Sequence, residues 1–303
     1  GLGAGTSRAR ETVQCQAVAR SRVGAVIVNY NAGDDLTQSV ASLKADGVLD
    51  VVVSDNGSTD NSLATLAKAF TDVPVDHLPN PGYGAGMNHG AKRLDNEVLF
   101  VVNPDAAIKP GCVAQLLSRF DADPKLGLLG PHIVDEDGHL YPSARVFPSL
   151  ALGLGHAVLG MFWRNNPFSA RYKMLDWGQK TYREIDWVSG ALMFVRRKAF
   201  DQVGGFDDGF WIYMEDVDLC KRLWEAGWKT AYDPDAHALH AGGTGTVKSA
   251  RPFKFVLAHQ RSFLRYFRKH ATGVDRVLYP FAVAGFGLRL PIAWLSAKLR
   301  GRH

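Results

Sequence analysis

The chain has 303 residues, 46% hydrophobic and 21% charged, an ordinary globular composition that can bury a sizeable core as one large α/β domain or two smaller ones. Its three cysteines, Cys15, Cys112 and Cys220, are scattered, which excludes a disulfide scaffold or zinc ribbon and fits a reducing compartment. The net charge of +5 is uneven: residues 245–303 hold twelve Lys/Arg and one acid, whereas residues 1–244 hold 23 Lys/Arg and 29 acids.

Residues 1–21 have no sustained apolar run and no signal-peptide core, and are expected to be a disordered tail. Val23–Val28 reads as a first strand buried on both faces, followed by a turn at Asn29-Tyr30-Asn31 and Gly33. Leu36, Val40 and Leu43 then recur at helical spacing. Leu49–Val53 is a second strand running into Ser54-Asp55-Asn56-Gly57-Ser58-Thr59-Asp60. Thr59 or Asp60 is expected to cap a helix carrying Leu63, Leu66, Ala67 and Phe70. Val73–Leu78 is a weaker third strand, and the glycine-rich stretch from Asn80 to Gly90 is expected as a turn that opens a helix. Val98–Val102 is another buried strand, and Pro104 stops it, since proline cannot continue a central ladder. Asp105 is thereby left just past a carboxyl strand end, where open α/β sheets bind ligands.

Beyond about residue 135 the pattern loosens. Residues 139–166 read as loops with a short helix, Asp186–Arg196 as one strand, and Gly204–Asp207 as a turn. Phe210–Asp218 leads into a helix with Leu219, Cys220, Leu223 and Trp224 on its apolar side, ended by Gly227. The alternation of strand and helix predicts a mostly parallel sheet with right-handed crossovers. Polar residues at the strand ends, Asn29/Asn31, Asp55/Asn56 and Asn103/Asp105, then share one cleft.

Each candidate site has a plain structural counterpart. Asp55 can accept a pyrimidine imide N–H or ribose hydroxyls, or simply order a turn. Asp105 suits a divalent cation on a diphosphate, which needs only one or two protein carboxylates. The stretch 82–90 can cradle phosphate on backbone N–H groups, or pack a helix closely; it lacks the spacing of a P-loop. Glu215-Asp216-x-Asp218 follows an aromatic run, and carboxylates packed against apolar surface gain the raised pKa of a general base. The alternative is a first helical turn that favours acids. His237 and His240 are further candidates for metal or diphosphate contact, or structural histidines.

Together these motifs, VIVNYN, SDNGSTD, NPGYGAGMNHG, NPDA, DWVSGA and GGFDDGFWIYMEDVDLCKRLWEAGW, resemble the family 2 inverting glycosyltransferases in order and spacing, from about Val23 to Gly243. The resemblance implies a GT-A fold: a Rossmann-like mixed, mostly parallel sheet flanked by helices. It divides the chain into a tail (1–21), a catalytic domain (22–244, nucleotide half about 22–134 and acceptor half about 135–244) and a C-terminal region (245–303). It places Asn29, Asn31, Asp55, Asn56, Gly84, Asn88 and Asn103 on the donor nucleotide, with Asp55 at the base. NPDA stands where the family has DxD, so Asp105 carries the metal (Mg²⁺ or Mn²⁺) with His240 as a further ligand. Asp216 becomes the catalytic base with Glu215 beside it. Trp187, Ser189, Gly190, Asp218 and Arg222 fall on the acceptor side.

Within the family the wording looks most like bacterial rhamnosyltransferases. That implies transfer of L-rhamnose from dTDP-rhamnose to a polyprenyl-diphosphate-linked N-acetylglucosamine in cell-wall arabinogalactan linker synthesis, at the cytoplasmic face of the plasma membrane. Alternatives are another dTDP- or UDP-sugar donor, or a catalytically idle scaffold of the same fold. A sugar nucleotidyltransferase is disfavoured, because no N-terminal Gly-rich, Arg/Lys-bearing phosphate loop is present.

The C-terminal region supports a separate expectation. At 100° per residue Lys254, Arg261, Arg265 and Arg268 form one stripe, while Phe253, Val256, Leu257, Phe263, Leu264 and Phe267 cover much of the rest. This is a basic amphipathic helix suited to an anionic membrane surface, or to packing on the main domain, and Arg261 and Arg265 can meet the diphosphate of a lipid-linked acceptor. Val277–Leu288 is too short to span a bilayer and is interrupted by Pro280, Gly285 and Gly287; it reads as an interfacial or re-entrant segment or a homo-oligomer contact. No nucleic-acid fold or aromatic platform accompanies the basic stretch, so nucleic acid is not an expected partner.

Overall fold

A computed structural model describes residues 22–150, 152, 167–174, 177–241 and 253–300. The expected tail at 1–21 and most of the loop at 151–166 lie outside the described residues.

The core is a ten-stranded mixed sheet. β1 (Val23–Asn29), β2 (Asp50–Asp55), β3 (Val75–His77) and β4 (Val98–Val102) lie in the order β3-β2-β1-β4, all parallel. The order reverses between β1 and β4, which makes that point the crevice of the sheet. β5 (Ala106–Ile108), β6 (Leu126–Val134), β11 (Leu192–Arg196) and β12 (Lys229–His240) continue it as β4-β11-β6-β12-β5. β11 runs antiparallel to β4 and β6, and β5 antiparallel to β12. β7 (Leu140–Tyr141) and β9 (Arg183–Glu184) pair at the margins, while β8 (Ala144–Arg145) and β10 (Trp187–Val188) form a separate ribbon.

Both faces of the sheet are covered, which explains the unbroken apolar runs. Val23, Ala25 and Ile27 pack with α1 (Asp35–Ala45), α2 (Ser62–Ala69) and α4 (Cys112–Ala122) on one face. Val26 and Val28 pack on the other face with α3 (Tyr83–Ala91), α6 (Arg197–Gln202), α7 (Glu215–Glu225) and α8 (Phe253–His270). A short α5 (Pro167–Tyr172) precedes β9, and α9 (Gly273–Arg300) ends the chain. Cys112 and Cys220 are buried and free.

Several sequence expectations are corrected. The glycine-rich stretch forms α3 itself, starting at Tyr83. A Cβ on Gly86 would lie 2.8 Å from the Val28 side chain, so this glycine lets the helix sit directly on β1. α2 is capped at Asn61, not at Thr59 or Asp60; Asp60 instead accepts Ser62 N–H at 3.1 Å. Asp186–Arg196 is two strands, broken at Ser189-Gly190-Ala191 where Gly190 turns its N–H toward α7. Trp224 is 58% exposed, with Lys221 Nζ 4.1 Å from its ring centroid, so it is no part of the apolar side of α7.

The largest correction concerns the C-terminal region. The aromatic face of α8 packs on the catalytic domain: Phe255, Phe263, Tyr266 and Phe267 are all buried. Asp218, at 0% exposure, holds the helix through Lys269 Nζ at 2.7 Å and His270 Nε2 at 2.8 Å. Asp207 adds Arg265 and Lys269, each at 2.8 Å. α9 continues through Pro280 as one helix, and its Val274, Val277 and Phe281 are 71%, 68% and 72% exposed. Among the described residues no helix is long and apolar enough to cross a membrane.

Candidate active site

The site is built at the carboxyl ends of β1, β2 and β4. Asn29 and Asp55 are register partners on adjacent strands and are 0% and 1% exposed. Asn29 Nδ2 donates to Asp55 Oδ1 at 2.9 Å, Ser58 Oγ at 2.9 Å and Ser62 Oγ at 3.0 Å. Asp55 Oδ2 accepts Gly57 and Ser58 N–H at 3.2 and 3.1 Å. Asn31, in the left-handed region at φ 55°, accepts Thr59 N–H at 2.7 Å on its Oδ1. These six asparagine and aspartate hydrogen bonds preform the loop after β2 rather than leaving it to a ligand. Asn56 Nδ2 donates to Gly82 O at 3.1 Å, while its Oδ1 is buried without a partner among the described residues. Asn29 Oδ1 is likewise buried without a partner among the described residues.

Gly84 and Asn88, expected at the nucleotide, serve packing in this structure. A Cβ on Gly84 would meet Phe206 Cβ at 2.9 Å. Asn88 Nδ2 donates to Phe206 O at 2.8 Å and Asp208 Oδ1 at 2.7 Å, and its Oδ1 accepts Phe206 N–H. Both tie α3 to the 204–208 turn.

β4 ends in a tight turn closed by Ala106 N–H on Asn103 O at 3.1 Å. The chain then leaves as β5, where Ala106 pairs with His240 of β12. That pairing brings His240 Nε2 to 3.1 Å from Asp105 Oδ1 across 135 residues. Two ligands at right angles on an octahedral ion with bonds of about 2.1 Å lie roughly 3 Å apart, so the oxygen and nitrogen fit one divalent cation. His240 is 7% exposed, and its other nitrogen, Nδ1, is buried without a partner among the described residues. A different trio, Asp135, Asp137 and His139, brings three ligand atoms within 4.8 Å. It sits on a hairpin turn where Asp135 accepts the Asp137 and His139 N–H groups, which is ordinary turn chemistry.

Opposite stands the first turn of α7. Tyr213 and Met214 precede it at φ 70° and 68°, an unusual conformation for large residues. Ser262 of α8 braces them by donating to Ile212 O at 2.8 Å. Asp216 Oδ2 accepts Gly190 N–H at 2.9 Å and Oδ1 accepts Val217 N–H at 2.8 Å. Burial raises the Asp216 carboxyl, against these two N–H groups and the nearby Arg145 cation, which lower it. Glu215 is pushed well above the usual carboxylate range by burial and then by the Asp216 charge, and its Oε2 is buried without a partner among the described residues. Both carboxyls are thus raised by burial, and Asp216 alone of the two has N–H donors that favour its charged form among the side-chain hydrogen bonds described.

The acceptor-side expectations separate into two groups. Gly190 contacts the base directly, and Ser189 Oγ lies 3.1 Å from Tyr141 OH. Trp187 is 3% exposed, and its indole N–H donates to Val146 O, so it backs the wall rather than presenting a face. Asp218 and Arg222 pair at 2.7 Å inside the α7–α8 junction, and Arg265 pairs with Asp207; these three hold helices together. Arg261 is exposed and lines an open groove of about 670 Å³ with Lys254, Arg268, Trp211 and Tyr279. Sequence reasoning missed Arg145, a lone arginine in a loose stretch, and Tyr83. The Tyr83 hydroxyl lies 2.9 Å from Asn103 Oδ1 and 2.8 Å from Gly190 O. Burial raises its pKa well above the usual phenol range, helped by the charges of Glu215, Asp216 and Asp105.

A nucleotide-type crevice with a cation-ready Asp–His pair, together with a buried acid pair, defines a glycosyltransferase of the GT-A fold. The chain belongs to glycosyl transferase family 2, whose sequence model matches residues 25–204. A second model, described as the N-terminal domain of galactosyltransferase, matches residues 179–240. The chain is 38% identical to the N-acetylglucosaminyl-diphospho-decaprenol L-rhamnosyltransferase of Mycobacterium tuberculosis (strain ATCC 25618 / H37Rv), over 92% of this chain and 94% of the relative. It is 26% identical to Rhamnosyltransferase WbbL of Escherichia coli (strain K12), over 71% and 81%. In structure it resembles GalNAc-T7 with UDP, GalNAc and Mn²⁺ (TM-score 0.59, 17% identity, 88% of this chain and 57% of that one). It also resembles the mannosyltransferase PcManGT of Pyrobaculum calidifontis with GDP-Man and Mn²⁺ (TM-score 0.55, 17% identity, 92% and 74%).

Proposed function

We propose that the protein is an inverting rhamnosyltransferase that moves L-rhamnose from dTDP-rhamnose to N-acetylglucosamine carried on a polyprenyl diphosphate. The observation that supports this most is the buried Glu215–Asp216 pair, with Asp216 held by the Gly190 N–H and Gly190 linked through the Tyr83 hydroxyl to Asn103, two residues before Asp105. The preformed loop at Asp55 receives the pyrimidine base, with Asn56 Oδ1 as its unspent acceptor. Asn29 and Asn31 hold that loop in shape. Asp105 and His240 would hold a divalent cation, which supplies charge neutralisation to the departing nucleoside diphosphate. Asp216 takes the proton from the acceptor hydroxyl as that oxygen attacks the anomeric carbon from the face opposite the diphosphate. One displacement inverts the centre, and no protein nucleophile is used.

The C-terminal region serves the lipid end of the acceptor. The exposed face of α9, Val274, Val277 and Phe281, rests on an anionic membrane surface at its cytoplasmic side, and the groove with Lys254, Arg261 and Arg268 takes the acceptor diphosphate.

The test is a donor screen with dTDP- and UDP-sugars against a polyprenyl-diphosphate-linked N-acetylglucosamine, with and without Mg²⁺ or Mn²⁺, the product read by mass spectrometry. A metal-dependent deoxyhexose adduct from dTDP-rhamnose is expected. Transfer only from a UDP-sugar overturns the donor, and nucleotide binding under no condition favours an idle scaffold.

A further inference from the structure

Tyr83 opens α3 and is fixed at both ends. Its N–H donates to Trp211 O at 2.9 Å, in the loop that presents the base. Its ring meets Phe206 edge-on, centroids 6.4 Å apart. Its hydroxyl lies between Asn103 and Gly190, at 2.9 and 2.8 Å. Asn103 is two residues before Asp105 and has its Nδ2 3.4 Å from His240 Nε2. Gly190 donates to Asp216. One phenol therefore grips the neighbour of each half of the chemistry.

A phenol has one proton, and both of these contacts ask it to donate. The Asn103 amide removes the conflict, because its oxygen and nitrogen exchange places by a half-turn. With Nδ2 toward Tyr83, the amide donates to the phenolic oxygen and the phenol donates to Gly190 O. The result is a hydrogen-bonded link from Asn103 through Tyr83 to Gly190, the residue whose N–H aims the base.

Gly190 needs such a brace. It sits against the base: a Cβ there would lie 3.4 Å from Asp216 Cβ and Oδ2, at ordinary contact distance. Glycine also has the greatest backbone freedom, and the base depends on the direction of its N–H. A fixed Gly190 carbonyl limits that freedom from the other side of the residue.

We propose that Tyr83 is a positioning residue for the transfer step: its hydroxyl pins Gly190 so that the Gly190 N–H keeps Asp216 aimed, and its hold on Asn103 sets the spacing between donor site and base. This rests on Asp216 being the base. Misplacement of a catalytic group by about 1 Å costs up to 10²-fold in rate.

Tyr83→Phe keeps the ring, its Phe206 contact and the bond to Trp211, so the fold is retained. The expected result is a drop in kcat for transfer of about 10- to 100-fold, with donor KM and nucleotide affinity within roughly twofold of the parent. In an Asn103→Ala background the same substitution should cost markedly less, because the hold on that side is already gone. A merely structural role predicts equal losses in both backgrounds and a lowered melting temperature. Unchanged kcat, a loss confined to donor KM, or additive losses in the double variant would each overturn the proposal. Transfer retained by Asp216→Asn would instead remove the base assignment, whatever Tyr83→Phe does.

Discussion

The two halves of the cleft are held in shape by different means. Around Asp55 the braces join two neighbouring strand ends, as Asn29 to Asp55, Ser58 and Ser62 illustrates. On the base side the braces join separate elements: Asp216 leans on Gly190, the loop before it on Ser262, and α7 on α8 through Asp218. The loop at Asp55 is thus held by the sheet's own strands, whereas the base side also leans on the C-terminal helix. The basic helix thus packs as part of the catalytic domain, and the exposed apolar residues Val274, Val277 and Phe281 belong to α9.

Breaking each half should expose this difference. The largest effect is expected from Asp216→Asn, with transfer lowered about 10²- to 10⁴-fold while nucleotide binding persists. Glu215→Gln should stay within about tenfold of the parent, since burial and the Asp216 charge push the Glu215 carboxyl toward its neutral form, which glutamine imitates. Equal losses in the two variants would refute the division of roles.

Next is the α7–α8 junction. Removing Asp218 leaves Arg222, Lys269 and His270 without their shared buried partner, and losing one side of a buried pair costs about 3–5 kcal/mol. Asp218→Ala should therefore lower the melting temperature and the transfer rate, yet leave donor affinity close to the parent. Donor binding lost in step with transfer would show that the halves are not separable.

The metal side should give an intermediate effect. Asp105→Ala should abolish the dependence of nucleotide affinity on Mn²⁺ in a titration while leaving the Asp216-dependent acid limb of the rate profile in place.

Acid should act on both halves of the base side, in separate windows. Asp216 must be ionised to work, and its pKa is raised, so transfer should fall with decreasing pH above the ordinary aspartate range. Asp207 is half-buried and Asp218 buried, which by itself raises them, but Lys269 and the Gly209 N–H on Asp207, and His270 and Arg222 on Asp218, outweigh this and hold both below their usual value. A depressed folded-state pKa contributes stability above the unfolded value near 3.9 and loses it as pH falls further toward the folded value. Activity should therefore disappear at a higher pH than the fold, as rate and circular dichroism measured together would reveal.

The smallest effect on the fold should come from Phe281→Glu. This exposed site should change stability by no more than about 0.5 kcal/mol but weaken sedimentation with anionic vesicles.

Much of the donor half was legible in the sequence. Continuous apolar runs ending in polar residues gave β1, β2 and β4, because a parallel strand covered on both faces has no alternation to hide. Asp105 was placed correctly past β4 by a proline. β6 and β12 were missed, their runs broken by Pro131 and by Asp233-Pro234-Asp235. The glycines of α3 read as a turn because glycine signals flexibility until its neighbours are known. The face of α8 was correctly amphipathic, but periodicity does not say whether an apolar stripe meets lipid or protein.

By itself, then, the sequence determined the local elements, the order of the motifs and the residue types at each strand end, all of which follow from short-range sterics and hydrophobic periodicity. Tertiary structure decided the pairings. Only the β5–β12 register sets Asp105 beside His240. Only the packing of α3 between the crevice and the base loop puts the Tyr83 hydroxyl on Gly190. Such contacts depend on chain segments 100 residues or more apart meeting at hydrogen-bond distance, and no periodicity along the chain encodes that meeting.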